Sequence, residues 1–448
     1  MMMNKLCKSV VVCLRKKIVL GVVVLISSSP TFALDVVGIH SHFNRYPESS
    51  DTYLTMIKQY GFTAFRSDLA WNSIEKKKGV FSIDADGNKK EDQALQEGLL
   101  KYNLNALMVV GYGNQLYSAN GIDYPRTADA IAAFANYAGW VAARYKGKVK
   151  YYDIWNEWLY GTGVKSNLGV PPPEVYFQLV KAASIAIRKA NPDAVVLAGS
   201  FNTNIPRDVN WFDGLMKMGI LEYIDGVSIH PYSIRLPEDN LAAIDKFETL
   251  AKKYAGKEVP IYITEVGNSS YTGVGHVSDD AAAQFVIKYT FLAKTRSYIK
   301  GLWWYDLIDD GANPNNRENR YGFVTQTKQP KPSALQLQKL SEVIKNYNVE
   351  HYQVGNDGKV QISLSYKGQH AMIYWQQEPV VAQVMKKDFV KSVKSFMKME
   401  DDKSEGPIRM IDQNLNGQPL YEEKSMPSTN YGNTPVLVLS DEPIKTSP

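Results

Sequence analysis

Two glutamates stand where carboxylates are costly. Glu157 follows the run KYYDIWN in the segment 150–161, KYYDIWNEWLYG, and Glu265 closes IYITE in 261–267, IYITEVG. Each ends an apolar stretch that reads as a buried strand, and a core does not accept an unpaired carboxylate. One such acid alone is more often a solvated strand cap. Two, each in its own patterned segment, are what glycoside hydrolysis needs. One carboxyl protonates the leaving oxygen, and the other attacks the anomeric carbon or activates water to do so. The two must be held in opposite protonation states near neutral pH. Trp155, Trp158 and Tyr160 are expected to surround Glu157 and keep it protonated, and Arg66 to keep Glu265 ionised.

Such a pair has to be carried by a scaffold that brings distant strand ends together. Short apolar runs alternate with long amphipathic ones from residue 34 to about 340, and eight strands are expected at 36–40, 64–66, 106–111, 151–156, 195–199, 226–230, 261–265 and 301–305. Most are continuous apolar runs, as a parallel sheet covered on both faces requires. Helical patterns between them carry their own start signals, Thr127 before one and Ser278 before another, with Asp279 and Asp280 in the first turn of the latter. Eight alternations give an α/β (β/α)8 TIM barrel over 34–345. An open doubly wound sheet is the rival, but no glycine-rich phosphate turn follows the first strand. Residues 346–448 change character: a hairpin around Asn356-Asp357-Gly358, further strands including TPVLVLS, and the polar stretch KMEDDKSEGP read as a small C-terminal β-sandwich.

In such a barrel chemistry is done at the C-terminal ends of the strands. The polar residues there are His40 and His42, Arg66 and Asp68, Tyr112 and Asn114, Asn156 beside Glu157, His230 and Tyr232 in HPY, Glu265, and the segment WWYDLIDD with Trp303, Trp304 and Tyr305.

Charge and cysteine usage narrow the setting. The whole chain has 51 Lys and Arg against 46 Asp and Glu, but Lys5, Lys8, Arg15, Lys16 and Lys17 all precede the apolar run 18–26. That run, followed by SSSPTFALD with Thr31 and Ala33 before the cut, reads as a secretory signal peptide over 1–33. Nine apolar residues are too few to span a bilayer stably. An uncleaved inner-membrane anchor is the alternative. Without 1–33 the chain is charge-balanced, so no nucleic-acid partner is indicated. Cys7 and Cys13, its only cysteines, leave with the signal, so disulfides, iron–sulfur clusters and a cysteine nucleophile are excluded. A periplasmic or secreted protein, monomeric and not inserted in the membrane, is expected.

The motifs resemble a known family group. IWNEW, with Asn156 before Glu157, looks like the acid/base motif of clan A glycoside hydrolases. IYITEVG, with Glu265, looks like their nucleophile strand, SIHPY like their sixth-strand motif, and FRSDLAW like their second-strand arginine. The resemblance runs through residues 35–340 in order, and the layout is most similar to family 39, including secreted glycosidases that cut bacterial biofilm exopolysaccharide. It implies a retaining mechanism with Glu157 as acid/base and Glu265 as nucleophile. It also implies that Asn156 binds the sugar 2-hydroxyl, Tyr232 orients Glu265, and His230 and Arg66 support the pair. His42, Tyr305, Trp303 and Trp304 are expected to contact the sugar, with Tyr305 the preferred ring of the −1 subsite. No cofactor and no metal are called for. One departure is Trp158, where the clan often has proline.

The residues admit two other readings. His40 and His42, at i and i+2 on the first strand, also open metal-dependent amidohydrolase barrels, with His230 and Asp306 as further ligands. That site leaves both motif-bearing glutamates unexplained. A sugar-binding barrel without catalysis is the other, yet such proteins usually lack one of the acids. The substrate is expected to be a polysaccharide cut internally, with the loops 160–174 and 267–280 building the cleft walls.

Overall fold

The computed structural model describes residues 34–84, 86–233, 235–272, 277–377, 409–412, 434–441 and 443–444. The signal-peptide expectation for 1–33, the polar stretch 398–407 and His276 lie outside them. All eight expected strands form: β1 Val36–His40, β2 Ala64–Asp68, β3 Asn105–Val110, β4 Tyr151–Ile154, β5 Val195–Phe201, β6 Gly226–Ile229, β7 Ile261–Val266 and β8 Ile299–Trp304. Each pairs in parallel with its sequence neighbours and β1 closes on β8, so the sheet is a complete barrel without an open edge. Eight helices cover it: α1 Ser50–Gln59, α2 Asp86–Tyr102, α3 Ala128–Arg144, α4 Pro173–Ala190, α5 Pro206–Lys217, α6 Pro237–Ala255, α7 Asp279–Lys294 and α8 Pro332–Asn346. Thr127 and Ser278 cap α3 and α7, accepting the amides of Ala130 and Ala281 at 3.2 and 3.1 Å.

The barrel's interior is filled by Val36, Ala64, Leu107, Val109, Tyr151, Leu197, Tyr262 and Trp303. The Trp303 indole fits because two strand glycines make room. A Cβ on Gly38 would lie 2.3 Å from the indole, and one on Gly301 would lie 2.4 Å from it. This packed layer is the floor on which the strand-end residues stand.

After α8 come β9 Asn348–Val354, β10 Lys359–Tyr366 and β11 Gln369–Gln376, an antiparallel meander. The expected turn at 355–358 closes its first hairpin, with Gly358 at φ +83°. β13 Val436–Ser440 pairs antiparallel with β11, and β12 Arg409–Asp412 pairs parallel with β13. This small C-terminal β-structure is consistent with the expected sandwich. Its buried face, including Val360, Ile362, Ile373 and Trp375, is continuous with the barrel's hydrophobic core. Trp375 Nε1 donates to Glu238 of α6 at 2.7 Å, and Gln284 of α7 donates to Thr434 at 3.3 Å. The sheet braces the barrel's helices. Among the described residues no helix is long and apolar enough to cross a membrane.

Candidate active site

β4 ends at Ile154, two residues before its expected end, because the chain turns sharply there. Trp155 and Glu157 both take left-handed conformations, at φ +68° and +50°. For non-glycine residues that backbone is costly and persists only where the surroundings enforce it. The enforcement is visible: Trp155 and Trp158 are fully buried, with Trp155 stacked on Tyr124 at 5.5 Å and Trp158 between Tyr124 and Tyr176. The two indoles anchor the turn below and leave Asn156 and Glu157 facing the barrel mouth.

A cavity of about 510 Å³ opens there. It is lined by His40 and His42 after β1, Asp68 of β2, Tyr112 after β3, Asn156, Glu157 and Thr162 after β4, Tyr232 after β6, Glu265 of β7 and Tyr305 after β8. Arg45, Arg317, Glu318 and Tyr321 complete its rim. One oxygen of Glu157, one of Glu265 and a ring nitrogen of His230 all lie within 4.8 Å of one another.

The two carboxylates have different surroundings. Glu265 is buried and tethered on both oxygens. Arg66 Nη1 donates to Oε2 at 2.8 Å, and the Tyr232 hydroxyl donates to Oε1 at 2.9 Å. Burial by itself raises this carboxyl. His230 and Arg66 outweigh burial and hold it well below the usual carboxylate range. Arg66 is wholly buried and makes two further bonds, to Asn156 Oδ1 at 2.5 Å and to His40 Nδ1 at 2.8 Å. A guanidinium only donates, so His40 Nδ1 accepts and the ring is neutral. Burial first and Arg66 second lower its pKa, in agreement with that assignment.

Glu157 is looser, with its side chain 26% exposed. Its Oε1 lies 3.0 Å from His230 Nδ1 and its Oε2 accepts from the Thr162 hydroxyl at 3.3 Å. His230 is fixed from the other side by Thr264 at 3.1 Å. Asp153 lies below, fully buried, and accepts from Ser228 at 2.7 Å and Ser200 at 3.1 Å. Burial raises its pKa, with Arg66 opposing.

The structure thus gathers Glu157, Glu265, Asn156, Arg66, His230, Tyr232, His42 and Tyr305 at one mouth, and corrects four expectations. Trp155, Trp158 and Tyr160 do not surround Glu157. The first two are core, and Tyr160 turns outward to bond Asp208 at 2.6 Å. Trp303 and Trp304 do not reach the cavity. Trp303 shares Tyr305's strand face but sits one layer lower, in the barrel interior. Trp304 points outward against Tyr289 and Phe323. Among the described residues, the wall expected from 267–280 is formed by Arg317, Glu318 and Tyr321. The described part of 267–280 stands behind that wall, with Ser269 donating to the Arg317 carbonyl at 2.6 Å and Thr272 to that of Pro314 at 2.8 Å. His40 and His42 do not form the amidohydrolase ligand pair: among the described residues the donor clusters join His42 with Asp306 and Asp310, or His230 with Glu157 and Glu265, and His40 belongs to neither. Among lining residues absent from the expected set, Asp68 and Tyr112 were legible as strand ends and Thr162 lies in the loop 160–174 expected as a cleft wall, while the 317–321 rim carries no periodic signal.

Comparison with known proteins agrees with this geometry. A family model described as cellulase (glycosyl hydrolase family 5) matches residues 27–306. The chain belongs to that family. It is a glycoside hydrolase, with a carbohydrate substrate. Solved structures of similar fold include a family 39 glycoside hydrolase from the gut symbiont Bacteroides cellulosilyticus WH2, at 23% identity and TM-score 0.65, covering 77% of this chain and 71% of that one. The GH39 enzyme from Xanthomonas axonopodis pv. citri is 16% identical, with TM-score 0.55 over 78% and 74% of the chains. Xylanase 10B from Thermotoga maritima is 14% identical, with TM-score 0.51 over 69% and 96%. No curated protein matches. The family 39 resemblance read from the motifs is consistent with these neighbours.

Proposed function

We propose that this glycoside hydrolase works with retention, Glu265 as nucleophile and Glu157 as acid/base. The observation that carries this reading is the asymmetry of the pair across one cavity. Glu265 is tethered by Arg66 and Tyr232 and held ionised. Glu157 is open to the cavity and bonded to an imidazole and a hydroxyl, either of which can accommodate a carboxyl or a carboxylate. Their oxygens lie within 4.8 Å. Carboxyl groups of retaining enzymes stand about 5–5.5 Å apart, whereas inverting ones need about 6.5–9.5 Å to admit water.

In the first step the Glu157 proton passes to the glycosidic oxygen as Glu265 attacks the anomeric carbon. The leaving alcohol departs and a glycosyl ester forms on Glu265. In the second, Glu157 as carboxylate takes a proton from water, whose oxygen attacks the anomeric carbon and releases Glu265. Asn156 would meet the sugar 2-hydroxyl, and Tyr305 and His42 would face the −1 sugar.

The substrate in this reading is a polysaccharide cut internally, namely a bacterial exopolysaccharide outside the producing cell. Support comes from the four tyrosines lining the cavity, Tyr112, Tyr232, Tyr305 and Tyr321, and from the export signal expected in 1–33. The test is digestion of a panel of defined polysaccharides, bacterial exopolysaccharides included, with product sizing and NMR of the first-formed anomer. Oligomers of mixed length with retained configuration are expected. Monosaccharides alone would refute internal cleavage, and an inverted first product would refute the assigned roles.

A further inference from the structure

We infer that His42, Asp306 and Asp310 form a site for one divalent transition-metal ion, beside the carboxylate pair and distinct from it. A ring nitrogen of His42 and one carboxylate oxygen from each aspartate lie within 4.8 Å of one another. His42 follows β1 and the two aspartates follow β8, strands that are hydrogen-bonded neighbours, so barrel closure itself brings the three together.

The second observation is a set of polar atoms without partners at this spot. Asp306 is fully buried, and neither of its carboxylate oxygens makes a hydrogen bond. Nε2 of His42 is likewise buried and unbonded. Nearby cations are committed elsewhere. Lys331 donates to Asp309 at 2.6 Å, and Arg320 pairs with Asp309 at 2.8 Å. Arg45, mostly exposed, approaches only Asp310, at 3.5 Å. Buried polar groups in native proteins are almost always satisfied, and a proton on Asp306 would answer for one atom of three.

One imidazole and two carboxylates, with no thiol in residues 34–448, suit Zn²⁺ or Mn²⁺. Ca²⁺ takes six to eight oxygens and is disfavoured here. Donor atoms bound about 2.0–2.2 Å from one ion stand about 3–4.4 Å apart, which the partly exposed Asp310 can reach by a small side-chain movement. Asp310 also accepts from the Tyr305 hydroxyl at 2.8 Å, and the His42 ring lies 4.5 Å from that of His40. An ion here would therefore fix two cavity-lining side chains, His42 and Tyr305. It positions the wall and takes no part in the proton transfers of the Glu157–Glu265 pair.

The test is direct binding to the full chain, so it stands whether or not the hydrolytic roles hold. Protein stripped with EDTA is titrated with MnCl₂ and ZnCl₂, followed by calorimetry, Mn²⁺ electron paramagnetic resonance and melting temperature, with CaCl₂ as control. Because Glu157, His230 and Glu265 also bring three donor atoms together, the titration is repeated on Glu265→Gln. One ion per chain is expected, raising the melting temperature by mass action. Binding should persist in Glu265→Gln, weaken by about tenfold or more in Asp310→Asn, and vanish in Asp306→Asn and His42→Gln. If Asp306→Asn does not fold, His42→Gln and Asp310→Asn decide. No uptake of either ion, or uptake lost in Glu265→Gln and kept in His42→Gln, would overturn the inference.

Discussion

Replacing Arg66 by methionine tests the electrostatic design of the site most directly. The guanidinium is wholly buried and bonds Glu265, Asn156 and His40. Methionine fills much of the volume and removes the charge, leaving Glu265 buried without its strongest hydrogen-bond partner. Breaking a buried pair from one side costs about 3–5 kcal/mol. The loss should depend on pH. In the native protein Glu265 is held below its unfolded value of about 4.3, so its contribution to stability is present above that pH and fades as pH falls through the depressed folded value. In the variant the opposing effect of burial gains weight and the folded value rises. Asp153 shifts the same way, since Arg66 also restrains it. The gap between the two proteins should be widest at neutral pH and narrow below about pH 4, as read by urea unfolding followed by tryptophan fluorescence. The acid limb of kcat/KM should move up by at least about one unit. His40, relieved of Arg66, can then protonate and pair with Glu265, now 3.6 Å away, so Arg66→Met/His40→Gln should be worse than the single variant. A gap below about 1 kcal/mol, or one that does not change with pH, would refute this account of Glu265.

Further outcomes follow from the same geometry. Glu157→Gln and Glu265→Gln should each cut hydrolysis by about 10²–10⁴-fold or more while binding of oligosaccharide, measured by calorimetry, persists. Near-wild-type turnover by either would remove the pair from the chemistry. Tyr232→Phe deletes one bond to an ionised carboxylate and should lower kcat/KM by about 1.5–3 kcal/mol, roughly 10- to 150-fold, with the acid limb moving upward. Gly38→Ala forces a Cβ to 2.3 Å from Trp303 and should destabilise by about 1–3 kcal/mol in urea unfolding, with kcat of the folded fraction largely kept. An unaltered midpoint would mean that Trp303 does not fill the barrel interior as described.

Local pattern carries much of this fold. Continuous apolar runs marked the eight strands to within a few residues, and polar residues at their ends named most of the mouth, because parallel strands in a closed barrel must all present their C-terminal ends on one side. IWNEW and IYITEVG placed Glu157 and Glu265 there before any geometry was known. The alternation of side chains along a strand sets Trp303 and Tyr305 on one face and Trp304 on the other. It could not say how deep Trp303 lies. That depends on Gly38 and Gly301 leaving room on two neighbouring strands, a contact across the sheet. The aromatics of IWNEW proved to be core for a similar reason. Two left-handed residues turn the chain at the end of β4 and drive both indoles under the site, a conformation that Tyr124 and Tyr176, distant in sequence, hold in place. The rim at 317–321 and the cluster of His42 with Asp306 and Asp310 belong to the same class. They come from loops and from the closure of β8 on β1, so which of their side chains meet is set by contacts between segments distant in sequence.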